Sequence, residues 1–185
     1  MNFIAKNPCS KNKRHEDLKP TINPREKGSI TSKWASRQRA LALVDWLGHQ
    51  PFHLAATITF RRYANGNSIA PTTAKKITRK VIFKLERSVF GNLTRRKGLR
   101  LVRATFLGRG ILGGNPHIHM AIAKPQDIAI NILEKKLASI LRNEKSIGKV
   151  EIKRIWSDGW IDYMTHHGVE TFEEDLSCLA TPIKG

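Results

Sequence analysis

His53-Leu54-Ala55-Ala56-Thr57-Ile58-Thr59-Phe60 is rich in apolar and β-branched residues, which predicts a buried strand. After the loop Asn65-Gly66-Asn67, Pro71-Thr72-Thr73 opens a predicted helix that continues to about Phe90 and ends at Gly91. The basic residues of this helix are expected to face solvent. Its expected apolar positions are Ile77, Val81, Phe83 and Leu85.

Ahead of this strand, the pattern from Thr31 predicts a helix that ends near Gly48, with Ser32 in position to cap it. Its apolar residues include Trp34, Leu41, Val44 and Leu47. Residues 1 to about 30 contain prolines and scattered basic residues without a hydrophobic period, which indicates a loosely docked arm. The 185 residues suffice for one domain. We therefore expect a basic N-terminal extension, residues 1–30, and one catalytic-size domain, residues 31–180.

Beyond Gly91, the sequence predicts two strands joined by a glycine-rich turn, then a helix, a fourth strand and a last helix that contains Tyr163. The strands are 99–107, 117–123 and 148–156, the turn is 109–114, and the amphipathic helix is 127–142 with Ile128, Ile132, Leu133, Leu137 and Leu141 facing inward. The order strand, helix, strand, strand, helix, strand is the ferredoxin-like split arrangement. The predicted fold class is α+β, with a four-stranded antiparallel sheet and helices on one face.

The charge balance indicates a polyanionic partner. Lys and Arg number 33 against 15 Asp and Glu, a formal charge of +18. Nucleic acid is the expected partner for such an excess, although a ribosomal-type or packaging protein has a similar composition. The two cysteines, Cys9 and Cys178, have no disulfide or metal-binding spacing, and no stretch has the length of a membrane helix. These features favour a cytoplasmic protein without a membrane partner.

Two histidines in the third predicted strand are candidate metal ligands. In Asn115-Pro116-His117-Ile118-His119-Met120, residues i and i+2 of a strand point to the same face, so the two imidazoles project side by side. Such a pair can share one divalent ion. A half-exposed strand that merely carries histidines is an equally good interpretation of this segment taken alone.

The segment that contains Tyr163 supplies a candidate nucleophile. Tyr163, His166 and His167 fall at helical positions i, i+3 and i+4 and therefore share one face. A nearby metal ion and a basic neighbour can activate a tyrosine hydroxyl against a phosphodiester. The alternative is an amphipathic tyrosine with a packed ring and a solvated hydroxyl.

These three segments resemble the motifs of the HUH endonuclease superfamily, in particular the rolling-circle replication initiators. That family has a hydrophobic strand ending in a Thr-rich motif, a central strand with His-hydrophobic-His, and a downstream helix with Tyr-x-x-Lys. Ala56-Thr57-Ile58-Thr59-Phe60, His117-Ile118-His119 and Tyr163-Met164-Thr165-His166 stand in the same order, and the resemblance covers about residues 53 to 170. Relaxases fit less well, because their tyrosine precedes the histidine motif.

The resemblance implies a DNA nickase and ligase that initiates rolling-circle replication of a plasmid or phage. Mg²⁺ or Mn²⁺ on His117 and His119 would polarise the scissile phosphate of single-stranded DNA or an origin hairpin. Tyr163 would attack it, leaving a 5'-phosphotyrosine adduct and a free 3'-hydroxyl. Host helicase and polymerase are the implied partners.

The chain departs from the family pattern at two positions. His166 stands where the family has its catalytic lysine, so a role for His166 in orienting or deprotonating Tyr163 would make activity depend on pH near neutrality. Many relatives also have a carboxylate ligand shortly before the histidine pair, where this chain has Leu107-Gly108-Arg109-Gly110. His167 is a candidate substitute as third ligand, with Glu86 and His53 as weaker candidates.

Basic and aromatic residues supply candidate DNA contacts. Trp156 and Trp160 flank the turn before Tyr163 and are placed to stack on unpaired bases, although core packing is expected for at least one of them. A basic run near the predicted sheet edge is either a solvated loop or a phosphate-binding surface. Its members are Arg95, Arg96, Lys97, Arg100 and Arg103.

Other enzyme motifs are set aside, and two rival functions remain. Gly108-Arg109-Gly110-Ile111-Leu112-Gly113 spells a dinucleotide-binding fingerprint, but a strand and not a helix is predicted after it, so it is expected to connect a hairpin. The chain has no P-loop and is not expected to hydrolyse ATP. One rival is a single-tyrosine transposase with the same motif order, which would form a dimer. The other is a non-catalytic binder of single-stranded nucleic acid, which a chelator would not affect.

Overall fold

Four antiparallel strands form one sheet in a computed structural model of the chain, which describes residues 30–63, 66–109, 115–156, 159–165 and 171–179. The strand order is β2-β3-β1-β4. With one helix crossing over between β1 and β2 and another between β3 and β4, this order is the ferredoxin-like arrangement, and the predicted α+β fold class is confirmed. The strands are β1 (Phe52–Phe60), β2 (Arg103–Arg109), β3 (Pro116–Ala123) and β4 (Ile147–Arg154).

The two crossover helices, α2 (Pro71–Phe90) and α4 (Ile130–Arg142), cover one face of the sheet. The strand residues of this face alternate with those of the opposite face, as the period of two requires. The α2 bounds match the prediction, and Gly91 ends this helix with φ 56°, a conformation that glycine adopts without strain. The buried residues that join the sheet to the helices include Leu54, Ile58, Ile118, Met120, Val81, Leu85, Leu133 and Leu137.

Two further helices, α1 (Ile30–Gly48) and α5 (Gly159–Thr165), pack on the opposite face. Leu47 of α1 and Ile161 and Met164 of α5 are buried there. Ala104, Phe106 and Ala121 of the sheet form the apolar patch that these helices cover. The expectation of helices on one face only is therefore wrong: β2 and β3 carry apolar residues on both faces, and water is excluded from the second patch by the flanking helices.

Several local expectations need correction. α1 begins at Ile30, so Ser32 lies inside the helix and is not its cap. Strand β2 begins at Arg103, later than expected, because the preceding chain forms the short helix α3 (Leu93–Arg96) and an extended stretch. Of the apolar helix positions, Leu41, Phe83 and Ile132 are 56%, 53% and 47% exposed. Helices α1, α2 and α4 therefore bury a narrower stripe of side chains than the number of apolar residues suggested.

The chain after α5 returns to the edge strand β2. In the segment 171–179, Phe172 and Cys178 form isolated bridges with Phe106 and Arg103. A short 3₁₀ helix (Glu174–Leu176) lies between these bridges. The segment covers part of the open edge of β2, which lowers its tendency to pair with other chains.

Acidic residues of this segment pair with cations of α2. Glu173 contacts Lys75, and Asp175 contacts Arg79. These ion pairs account for Glu173 and Asp175, so no catalytic role is needed to explain them.

Glu86 and Arg103 form a buried ion pair between α2 and β2. The Arg103 Nη1 atom lies 2.6 Å from Glu86 Oε1, which also accepts a hydrogen bond from the backbone N–H of Leu101 at 3.1 Å. Arg103 Nε donates to the carbonyl oxygen of Leu176 at 2.8 Å. Burial lowers the pKa of the Arg103 guanidinium, and the Glu86 carboxylate opposes that shift. The Glu86–Arg103 pair therefore has a structural role, because it connects α2 to β2.

The predicted arm, residues 1–30, lies outside the described residues except for Ile30, which begins α1. Among the helices that are described, none is long and apolar enough to cross a membrane.

Candidate active site

His117 and His119 lie side by side on β3, as the spacing predicted. Their ring centroids are 4.9 Å apart, while Ile118 and Met120 point into the core on the opposite face of the sheet. In the antiparallel register, His119 lies between Thr57 of β1 and Phe106 of β2. The two central strands of the sheet thus fix the backbone positions of both imidazoles.

Thr57 orients the imidazole of His119. The Thr57 Oγ1 atom and Nδ1 of His119 are 3.1 Å apart, and His119 is only 3% exposed. Because this hydrogen bond engages Nδ1, a metal ion would be bound through Nε2. Thr57, in the Thr-rich part of β1, therefore orients a candidate metal ligand, a role that the sequence motif alone did not show.

Gly108 makes room for the imidazole of His117. These two residues are paired in the register of β2 and β3. A Cβ on Gly108 would lie within 2.8 Å of Cε1 and 2.9 Å of Cδ2 in the His117 ring. Real Cβ atoms essentially never make such contacts, so the observed ring position requires glycine at this site.

Helix α5 brings Tyr163 to the histidine pair. Ile161 and Met164 anchor the helix in the apolar patch, which leaves Tyr163 58% exposed. The ring centroids of Tyr163 and His119 are 5.1 Å apart, with the ring planes at 82°. A solvent-accessible phenol thus lies against an imidazole from a different part of the sequence.

Two charged residues of β4 extend the site and were missed in the sequence. Glu151 is paired with Thr57 in the β1–β4 register, and Lys153 with Ala55, so both side chains are on the histidine face. Lys153 Nζ lies 2.7 Å from Glu151 Oε1. This hydrogen bond and the charge of Glu151 raise the pKa of Lys153, and Tyr163 raises it further. The alternation of charged and apolar residues in β4 was the signal that could have found them.

The donor set is appropriate for a divalent ion but incomplete among the described residues. Two neighbouring imidazoles, one of them oriented by a hydroxyl group, are common metal ligands. The described part of the chain contains no cluster of three or more His, Cys, Asp or Glu side chains that could hold a metal ion. His166 and His167, the predicted general base and third ligand, lie outside the described residues.

Glu86 and His53, the weaker ligand candidates, are elsewhere. Glu86 is on α2, across the sheet from the histidine pair, and is bound to Arg103. The Nδ1 atom of His53 accepts a hydrogen bond from the backbone N–H of Lys124 at 3.2 Å. His53 lies four residues before Thr57 on β1, or about 13 Å along the strand. Neither residue can share an ion with the pair in this arrangement.

The predicted basic run is not beside the histidines. Arg103 is 7% exposed, so the expectation that it contacts DNA is corrected. The run precedes β2, whereas Gly108 and His117 lie near the other end of that strand, about 16 Å away. The exposed members are Arg95, Arg96, Lys97 and Arg100. Their role in DNA binding stays a prediction, and it concerns a surface separate from the histidine pair.

The two tryptophans near α5 differ in environment. Trp160 packs edge-on against Phe52, with ring centroids 5.1 Å apart, whereas Trp156 is 81% exposed. The expectation that at least one of them packs in the core is confirmed for Trp160. The Trp156 side chain, in contrast, has most of its aromatic surface in contact with solvent.

Comparisons of the chain with models of protein families, with curated proteins and with solved structures give no match.

Proposed function

We propose that this chain is a metal-dependent endonuclease that nicks single-stranded DNA and transfers the strand through a tyrosine. The observation that carries the proposal is the contact between Tyr163 and His119, whose ring centroids are 5.1 Å apart, with His117 next to them. A tyrosine hydroxyl and a pair of imidazoles from separate elements converge on one face of the sheet. The formal charge of +18 supports a polyanionic substrate.

His117 and His119 are the proposed ligands of Mg²⁺ or Mn²⁺, with His167 as the proposed third ligand. A divalent ion bound there supplies Lewis-acid polarisation of the scissile phosphate. Thr57 holds the His119 ring, and Gly108 leaves space for the His117 ring.

Tyr163 performs the proposed chemical step. Its hydroxyl oxygen forms a bond to phosphorus while the bond between phosphorus and the 3'-oxygen breaks. The phenol proton passes to a base, for which we propose His166, and the 3'-oxygen takes up a proton. The products are a 5'-phosphotyrosine adduct and a free 3'-hydroxyl, and the adduct conserves the energy needed to rejoin the strand.

Initiation of rolling-circle replication of a plasmid or phage is the proposed biological role. Because the chain has no P-loop, unwinding and synthesis are proposed to require a host helicase and polymerase.

A covalent-adduct assay tests the proposal. The protein is incubated with circular single-stranded DNA and Mn²⁺, and a denaturing gel is examined for protein shifted by attached DNA. Tyr163→Phe should abolish the adduct, whereas Tyr63→Phe should preserve it, because Tyr63 is the only other tyrosine and is also exposed, at 52%. EDTA should abolish the adduct as well. An adduct of wild-type yield in Tyr163→Phe would refute the assignment, and DNA binding with no adduct under any condition would favour a non-catalytic binder.

A further inference from the structure

A cavity of about 210 Å³ lies on the same sheet face as the histidine pair, at the beginning of α5. Residues at the end of α1, at the start of β1, directly after β4 and in α5 line this open cavity. The lining includes the aromatic residues Phe52, Trp156 and Trp160 and the polar residue Gln50. The remaining walls are Leu47, Gly48, Ile155 and Ile161.

Trp156 is the unusual feature of this cavity. It is 81% exposed, although a large aromatic side chain is normally at least half buried in a folded domain. Trp160, which also lines the cavity, packs edge-on against Phe52. The cavity is therefore lined by one packed tryptophan and by a second tryptophan whose ring is largely in water. A flat aromatic ligand would bury the exposed ring by stacking.

The cavity lies within reach of a DNA strand bound at Tyr163. Trp160 precedes Tyr163 by three residues on α5, which is about 4.5 Å along a helix axis. Along the sheet, Phe52 lies five residues from Thr57, the partner of His119, or about 16 Å. A strand whose phosphate is at Tyr163 would therefore place a base a few nucleotides away at the cavity.

We propose that this cavity binds one unstacked base of single-stranded DNA, between Trp156 and Trp160. The base stacks on the Trp156 indole. The ligand class rests on the proposed function, because the cavity alone does not select a nucleobase. The net charge of +18 favours the phosphates that flank such a base.

Binding is tested without nicking, in EDTA, with two strands of equal length and charge. One probe is an oligothymidylate, and the other is an abasic strand with the same number of phosphates. The wild-type protein should bind oligothymidylate more tightly and show quenched tryptophan fluorescence with it. Trp156→Ala should lose about 5- to 150-fold of the oligothymidylate affinity, the range for one stacked base, and should keep its affinity for the abasic strand.

Two variants control this measurement. Trp46→Ala removes another exposed tryptophan, on α1 outside the cavity, and should leave both affinities unchanged. Trp156→Phe keeps an aromatic ring and should recover most of the lost affinity. Equal affinities of Trp156→Ala and wild type for oligothymidylate would overturn the proposal. An equal loss for both probes would overturn it too, because the tryptophan would then act through the phosphates or the fold.

The failure of this site and the failure of the nickase proposal are distinguishable. If the Tyr163 adduct forms but base dependence at Trp156 is absent, only the base site is wrong. If base dependence is present and no adduct forms under any condition, the base site stands and the nickase proposal fails.

Discussion

A Cβ atom on Gly108 would overlap Nε2 of His117. Glycine is needed here for space, because its role is to let an imidazole from the neighbouring strand lie over the β2 backbone. The space left by the missing side chain at Gly108 is therefore part of the candidate active site.

The first prediction is that Gly108→Ala displaces the His117 ring and weakens Mn²⁺ binding by about tenfold or more, as loss of ligand orientation does in other metal sites. Isothermal titration with Mn²⁺ measures the effect. Gly148→Ala is the matched control in β4, since its Cβ would be 3.4 Å from Arg61 Cγ and from the Thr59 carbonyl oxygen, an ordinary contact. Unchanged Mn²⁺ affinity in Gly108→Ala would show that metal binding does not depend on the position of the His117 ring.

The second prediction concerns the hydrogen bond between Thr57 and His119. Thr57→Val keeps the shape and strand propensity of the side chain but removes the hydroxyl group that orients Nδ1. Mn²⁺ affinity should fall by about 10- to 100-fold, as for other residues that orient metal-binding histidines. Thr72→Val on the exposed surface of α2 is the control. A Thr57→Val protein with wild-type Mn²⁺ affinity would show that His119 does not depend on this contact.

The third prediction is that Lys153 stabilises the scissile phosphate. Its charge interacts with Tyr163 and is on the histidine face, so it should stabilise the phosphate as negative charge develops in the transition state. Lys153→Met should slow adduct formation several-fold at low salt, and the difference should shrink at high salt because the group is exposed. Lys76→Met, on the far side of the sheet, removes the same charge as a control. Equal effects of the two substitutions would mean that only net charge matters.

The fourth prediction concerns the buried ion pair of Glu86 and Arg103. Glu86→Gln leaves the Arg103 charge uncompensated, which should lower the free energy of unfolding by about 3 kcal/mol. Chemical denaturation measures the change. The double variant Glu86→Leu/Arg103→Met removes both charges and should recover part of the loss. A double variant less stable than Glu86→Gln would contradict this account.

The fifth prediction is a pH dependence of stability at Glu144. A hydrogen bond from Lys80 at 3.0 Å, and the charges of Lys80 and Lys84, hold the pKa of Glu144 below its ordinary value of 4.5. Because the pKa is depressed in the folded state, the stabilisation is present above pH 4.5 and is lost as the pH falls through the folded-state pKa. Glu144→Gln should cost about 0.5–1 kcal/mol at neutral pH. Urea denaturation across acidic pH should show this difference shrinking. A difference that grows on acidification would contradict the prediction.

The sequence predicted the topology because each element carries its own periodic signal. β1 and α2 were found within a residue of their observed bounds, and the spacing of His117 and His119 placed both imidazoles on one face. This periodic signal did not predict burial where the burial of a residue depends on a partner from another element of the fold. Arg103 has the composition of a surface residue, but Glu86, from another element, makes its burial possible.

The α+β class, the positive charge and the shared face of the two histidines could all be predicted, because they follow from composition and from the local geometry of strands and helices. The contact of Tyr163 with His119 and the hydrogen bond of Thr57 to this imidazole became visible only in the folded chain. The same is true of the space that Gly108 leaves for His117 and of the position of Lys153 on the histidine face. These relationships depend on strand register and on the docking of α5. Register and docking are set by the packing of the whole core, which no local stretch of sequence encodes.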